Sequence, residues 1–141
     1  IFDTSSLIDI ESNEVLWKIL RSSRYRLVIP SGVLSELKKL ATVKGHRGAF
    51  PIYEFISKAS NSFIFIAPNG VQVSFQQAIL FKYEMTDKLQ CMDDHIVEAC
   101  KAFKENRIFL VTGDKLMAEK ALALGICIYS SQELSSLVAQ L

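Results

Sequence analysis

Four places in the chain carry carboxylates in settings where a carboxylate can do chemistry. "IFDTSS" runs an apolar pair into Asp3, and "FLVTGDKL", residues 109 to 116, runs a longer apolar stretch into Thr112, Gly113 and Asp114. Between them lie Glu36 in "SGVLSELKKL" and the adjacent Asp93 and Asp94 in "MDDHIVEAC". Each has a plain role when taken alone. An Asp after a strand is ordinarily a helix N-cap, accepting from the unpaired N–H groups of the first turn, and a helical Glu is ordinarily solvated surface. Brought together without basic partners, however, such acids repel one another. A converging set is therefore expected to hold a hard cation, Mg²⁺ or Mn²⁺.

Whether they converge depends on the elements that carry them. "IFDT" reads as a strand, residues 5–22 as a helix with Leu7, Ile8, Ile10, Val15, Leu16, Ile19 and Leu20 inward, and "RLVIP" as a strand stopped by Pro30. Ser31 suits the cap of a helix through residue 41, and Pro51 the first turn of another through residue 58. "SFIFIA" reads as a third strand. Residues 68–86 combine turn chemistry in "PNG" with a stretch expected to be helical. Then follow a helix over 92–104, the strand "IFLVT", a helix over 114–124 stopped by Gly125, the strand "ICIYS" and a helix over 131–140. Alternation of this kind predicts an α/β fold in three layers, α/β/α, around a mainly parallel central sheet. In open sheets of that class ligands gather at the carboxyl ends of the strands, where Asp3 and Asp114 both fall.

On the helix over 92–104 the apolar face is Ile96, Val97, Cys100 and Phe103. At about 100° per residue Asp93 points within roughly 40° of its centre, and Asp94 points away. An acid at a helix N-terminus is also favoured by the macrodipole. Glu36 sits on the flank of the apolar stripe of its own helix.

The order of these motifs resembles the PIN-domain nucleases. A strand followed by Asp-x-Ser at residues 3–5, a helix with Glu36, an Asp-Asp-x-Ile helix start at residues 93–96 and a strand followed by Thr-x-Asp at residues 112–114 span nearly the whole chain. The doubled Asp and the insert near residues 60–90 look more like eukaryotic PIN domains than compact bacterial toxins. The resemblance implies Asp3, Glu36, Asp93 and Asp114 as metal-binding acids, with Asp94 as the competitor of Asp93 and with Ser5 and Thr112 as polar support. It implies a Mg²⁺- or Mn²⁺-dependent endoribonuclease acting on single-stranded RNA. All four acids being present favours activity over a catalytically silent scaffold that binds RNA or protein.

Substrate contact needs positive charge beside the acids. From residue 37 to residue 53 there is no acidic side chain, while Lys38, Lys39, Lys44 and Arg47 are present, and Lys115 follows Asp114. These are expected to track phosphates, although a solvated face with a flexible "KGHRG" loop has the same composition. Lys120 is equally ambiguous. Tyr83 and Phe75 suit either stacking on unpaired bases or a place in the core. His46 and His95 lack a partner arrangement for catalysis and read as incidental surface residues; Cys100 reads as a small core residue.

Composition sets the outer bounds. A chain of 141 residues, 50% hydrophobic and 22% charged, suffices for one domain with a real core. Formal net charge +1 supplies no global attraction to polyanions, so any such binding is local. Three cysteines without CxxC spacing argue against disulfides and zinc, and no apolar run of about 20 residues exists to span a bilayer. We therefore expect an intracellular protein, cytoplasmic or nuclear, with no membrane partner. Since Ile1 opens inside an apparent strand, the chain is expected to be a fragment whose missing parts could bring protein partners. A phospho-acceptor receiver would place its acidic pair near the first strand, whereas here the pair begins a late helix.

Overall fold

The computed structural model describes residues 1–21, 26–67, 70–80, 91–103 and 108–139, with the side chains of 91–94 outside that description. The helix expected over 5–22 is two helices. α1 spans Thr4–Asp9, passes through a 3₁₀ turn at Ile10–Ser12, and gives way to α2, Glu14–Arg21. The break falls at Asn13, whose side-chain oxygen accepts from the N–H groups of Val15 and Leu16, so a polar residue hidden in helical periodicity acts as a new N-cap. Apolar spacing continues across the junction because Ile10 and Leu16 still face the same core.

β1, Val28–Pro30, leads directly into α3, Ser31–Thr42, and α4 follows at Ala49–Lys58. Ser31 is not the cap expected of it. It is the first helical residue, Pro30 holds the cap position without a side-chain bond, and the Ser31 hydroxyl is turned to His95. The "KGHRG" loop ends in a cap that the sequence did not reveal: His46 Nδ1 accepts from the N–H groups of Gly48 and Ala49 at 3.2 and 3.3 Å. Within residues 68–86 the stretch expected to be helical does form a helix over its described part, and an unexpected strand precedes it. The strand is β3 at Gln72–Val73 and the helix α5 at Phe75–Leu80; residues 81–86 lie outside the described residues.

The remaining elements are β2 at Ile64–Ile66, α6 at Cys91–Ala102, β4 at Phe109–Val111, α7 at Lys115–Leu122, β5 at Cys127–Tyr129 and α8 at Ser131–Ala139. Gly125 closes α7 with φ +79°, a left-handed conformation that a glycine enters without strain. Among the described residues the strands pair as two sheets. One has the order β1-β2-β3, with β1 parallel and β3 antiparallel to β2; the other is the parallel pair β4-β5, extended by a parallel bridge from Phe2 to Val111. The fold is thus mixed α/β and mostly helical. These pairings alone do not make a single, mainly parallel central sheet, since β3 runs antiparallel to β2 and among the described residues no ladder joins the two sets.

The core runs between the sheets and helices, with Leu16, Leu34, Leu37, Ile52, Ile56 and Leu110 wholly buried. Phe75 belongs to it: its ring lies edge-on to Phe65 at 5.6 Å and near Tyr53, which answers the choice between stacking and packing in favour of packing. Tyr83 lies outside the described residues. Burial pushes the Cys100 thiol up to about 11, so almost no thiolate forms there at pH 8, whereas Cys127 is exposed. Iodoacetamide at pH 8 is therefore expected to modify Cys127 in the native protein and to spare Cys100 until denaturant is added. Peptide mass mapping reads this directly, and equal labelling of the two in the native state would contradict the packing of α6.

Candidate active site

The parallel bridge between Phe2 and Val111 puts the two strand ends in register. Val111 N–H donates to Ile1 O at 2.7 Å, and Asp3 N–H donates to Val111 O at 3.1 Å. The residues that follow, Asp3 on one strand and Thr112 on the other, therefore emerge side by side at the carboxyl edge. Thr112 is tied on its other flank by its N–H to Tyr129 O at 3.0 Å.

The side chains complete a relay. The Thr112 hydroxyl donates to Asp3 Oδ2 and accepts the Asp114 N–H at 3.0 Å. Asp3 Oδ1 accepts the Ser6 N–H at 2.9 Å, capping α1, and lies 3.4 Å from the Ser5 hydroxyl. Asp114 Oδ1 accepts from Leu116 and Met117 N–H groups, capping α7. Both acids are thus N-caps, and Thr112 links the Asp3 carboxylate to the backbone of Asp114. They differ in setting: Asp3 is only 6% exposed, and Asp114 faces solvent. Neither takes part in an ion pair with Lys or Arg among the described residues, where the pairs are Lys58 with Glu54 and Lys101 with Glu98.

The other expected residues distribute as follows. Ser5 is exposed beside Asp3, and Thr112 is buried. Glu36 is exposed on α3, as are Lys38 and Lys39; Lys44 and Arg47 are exposed in the turn before α4, and Lys115 opens α7. Asp93 and Asp94 stand in the first turn of α6, but their side chains lie outside the described residues, and with them the choice made from helical phase. Among the described residues no group of three or more His, Cys, Asp or Glu is close enough to hold a metal ion. What the structure brings together is Asp3, Thr112 and Asp114.

Two buried polar residues were missed. Thr4, next to Asp3, is buried, and its hydroxyl has no hydrogen-bond partner among the described residues. His95, expected at the surface, is only 5% exposed, and Ser31 Oγ lies 3.4 Å from its Nε2. Burial lowers the imidazole to about 4, which keeps it neutral at physiological pH. The apolar spacing carried no signal for this, since helical phase turns His95 as far from the Ile96, Val97, Cys100 and Phe103 face as Asp94; it lies instead on the side of Ala99, which is also buried.

A family profile described as a PIN domain matches residues 1–132. Among solved structures, the chain is similar to a domain of a functionally unknown protein from Methanocaldococcus jannaschii DSM 2661, with 25% identity and a TM-score of 0.50 over 92% of this chain and 87% of that one. Among curated proteins, none matches.

Proposed function

The chain belongs to the PIN-domain family, whose members are generally nucleases, and from that premise we propose that it is a divalent-metal-dependent endoribonuclease hydrolysing phosphodiester bonds of single-stranded RNA. The observation that carries this reading is the relay at the strand ends. Asp3 is a buried carboxylate fixed through both oxygens by uncharged donors, and the Thr112 hydroxyl that holds it also accepts the backbone N–H of a second acid, Asp114. An all-oxygen donor set of this kind, with no Lys or Arg paired to it among the described residues, fits a hard cation better than zinc or copper.

Asp3 and Asp114 would hold Mg²⁺ or Mn²⁺ together with Glu36 and Asp93, Asp94 being the alternative on α6. Such an ion supplies Lewis acidity at the phosphate and lowers the pKa of water. The chain's own residues then have separable tasks. Thr112 and Ser5 orient the Asp3 carboxylate. Capping fixes Asp114 at the head of α7, so that its charge does not depend on a mobile loop. Lys38, Lys39, Lys44, Arg47 and Lys115 bind backbone phosphates on either side of the scissile bond. The finer architecture, three layers around one mainly parallel sheet, belongs to the same proposal and is supported by the parallel pairings β1-β2, β4-β5 and Phe2 with Val111. So does an intracellular setting, cytoplasmic or nuclear: among the described residues no helix is long and apolar enough to cross a membrane.

A second reading has an observation behind it. Asp3 and Asp114 both serve as caps, and no third acid joins them among the described residues, as a catalytically silent scaffold binding RNA or protein would also permit. Two measurements separate the readings. A labelled single-stranded RNA is expected to be cut with Mn²⁺ or Mg²⁺ and left intact with chelator. At tenfold excess over Kd, the ion is expected to stabilise the protein by about 1.4 kcal/mol, a shift of a few degrees that Asp114→Asn diminishes. No cleavage and no thermal shift with either ion would leave the scaffold.

A further inference from the structure

We infer that Ser31 and His95 form a positioning pair that sets how α6 lies against α3, the two helices carrying Asp93 and Glu36. The inference rests on the metal-dependent reading above and concerns residues outside the acidic set. Ser31 is fully buried and His95 is 5% exposed; they are 64 residues apart in sequence, with Oγ and Nε2 separated by 3.4 Å. The Ser31 hydroxyl is not spent on its own helix, whose cap position is Pro30 with no side-chain bond.

Among the described side chains, everything else buried on these two helices is apolar: Val33, Leu34, Leu37 and Ala41 on α3 after Gly32, and Ile96, Val97, Ala99 and Cys100 on α6. Apolar contact is non-directional and tolerates small sliding and rotation of one helix on another. A buried hydrogen bond does not, because its two atoms must stay within reach of each other, and any other register separates the Ser31 hydroxyl from Nε2. Its contribution is therefore to geometry more than to net stability. Asp93 lies two residues before His95 on α6, and Glu36 five residues after Ser31 on α3, so about 3 Å and 7.5 Å of helix rise separate the pair from the acids. A slip at the pair is transmitted to the acids by rigid helix with little attenuation.

The test is Mn²⁺ affinity, measured by isothermal titration calorimetry on variants whose circular dichroism shows them folded at the working temperature. Ser31→Ala and His95→Leu are each expected to weaken Mn²⁺ binding by about tenfold, as outer groups that orient ligands do. His95→Gln, which carries an amide nitrogen near the place of Nε2, is expected to stay within roughly threefold of wild type. Wild-type affinity in folded Ser31→Ala and His95→Leu overturns the positioning role and leaves the nuclease reading untouched. Failure of His95→Gln to restore binding also overturns it, since bulk packing would then be the cause. If His95→Leu does not fold, the smaller change Ser31→Ala decides. A wild-type protein that binds no Mn²⁺ overturns both the pair's role and the metal-dependent reading.

Discussion

Asp3→Asn is expected to lower metal-dependent RNA cleavage by roughly 100-fold or more, while the metal-free protein melts at the same temperature as wild type or slightly above it. The two halves of this result have different causes. Asn keeps Oδ1, so the Ser6 N–H still has its acceptor and α1 keeps its cap. The amide that replaces Oδ2 can donate to the Thr112 hydroxyl, which retains room to accept the Asp114 N–H. What is lost is one negative charge that is nearly buried and has no Lys or Arg paired to it among the described residues. Removing such a charge does not harm an ion-free fold, but it removes a ligand charge from the ion. Paired measurement of single-turnover cleavage and thermal melting checks both halves. An active Asp3→Asn would remove Asp3 from the chemistry. An inactive but unfolded variant would make capping, not ligation, the dominant role of the residue.

The place of Asp3 was legible in the sequence because two signals coincide there. An apolar run that stops at an acid marks a strand end, and an acid two residues ahead of a serine marks a helix start. Asp114 carries only a looser form of the first, an apolar run followed by Thr112 and Gly113, and has Leu116 where Asp3 has Ser5. Their proximity followed from topology, and the bridge from Phe2 to Val111 supplies it. Other features were illegible for identifiable reasons. Asn13 breaks the first helix although the apolar periodicity runs across it, since a capping side chain acts on backbone N–H groups and leaves the hydrophobic pattern intact. β3 is a two-residue strand, too short to show alternation, and its pairing to β2 is antiparallel in a chain whose strand–helix alternation suggested mainly parallel neighbours.

Ser31 shows the limit of local reasoning in another way. A serine after a proline at a strand end has every local mark of a cap, yet its hydroxyl finds a partner 64 residues away. Local propensity decides where a helix starts; tertiary contact decides what its first side chain does. Glu36 is the converse case. Its exposure on α3 agrees with the ordinary behaviour of a helical glutamate, and an exposed acid at a cleft margin has the same sequence signature as one on any solvated face.

The relay itself yields the largest expected stability effect at the site. Thr112→Val keeps nearly the same shape and removes the hydroxyl. Asp3 Oδ2 loses its donor while remaining buried, and the Asp114 N–H loses its acceptor. An unsatisfied buried polar group costs about 1–3 kcal/mol and a charged one more, so a combined loss of about 3 kcal/mol is expected, or roughly 10 °C in melting temperature. The added methyl returns little of this, since the position is already packed: Thr112 is 4% exposed and its neighbour Val111 is fully buried. Thr112→Ser keeps the hydroxyl and loses a methyl, so it is expected to cost about 1 kcal/mol. The contrast between Val and Ser therefore isolates the hydrogen bonds from the packing. Urea unfolding with a common m-value is the measurement. If Thr112→Val lay within about 0.5 kcal/mol of wild type, Thr112 would not be holding Asp3, and the fixed carboxylate on which the metal reading rests would lose its support.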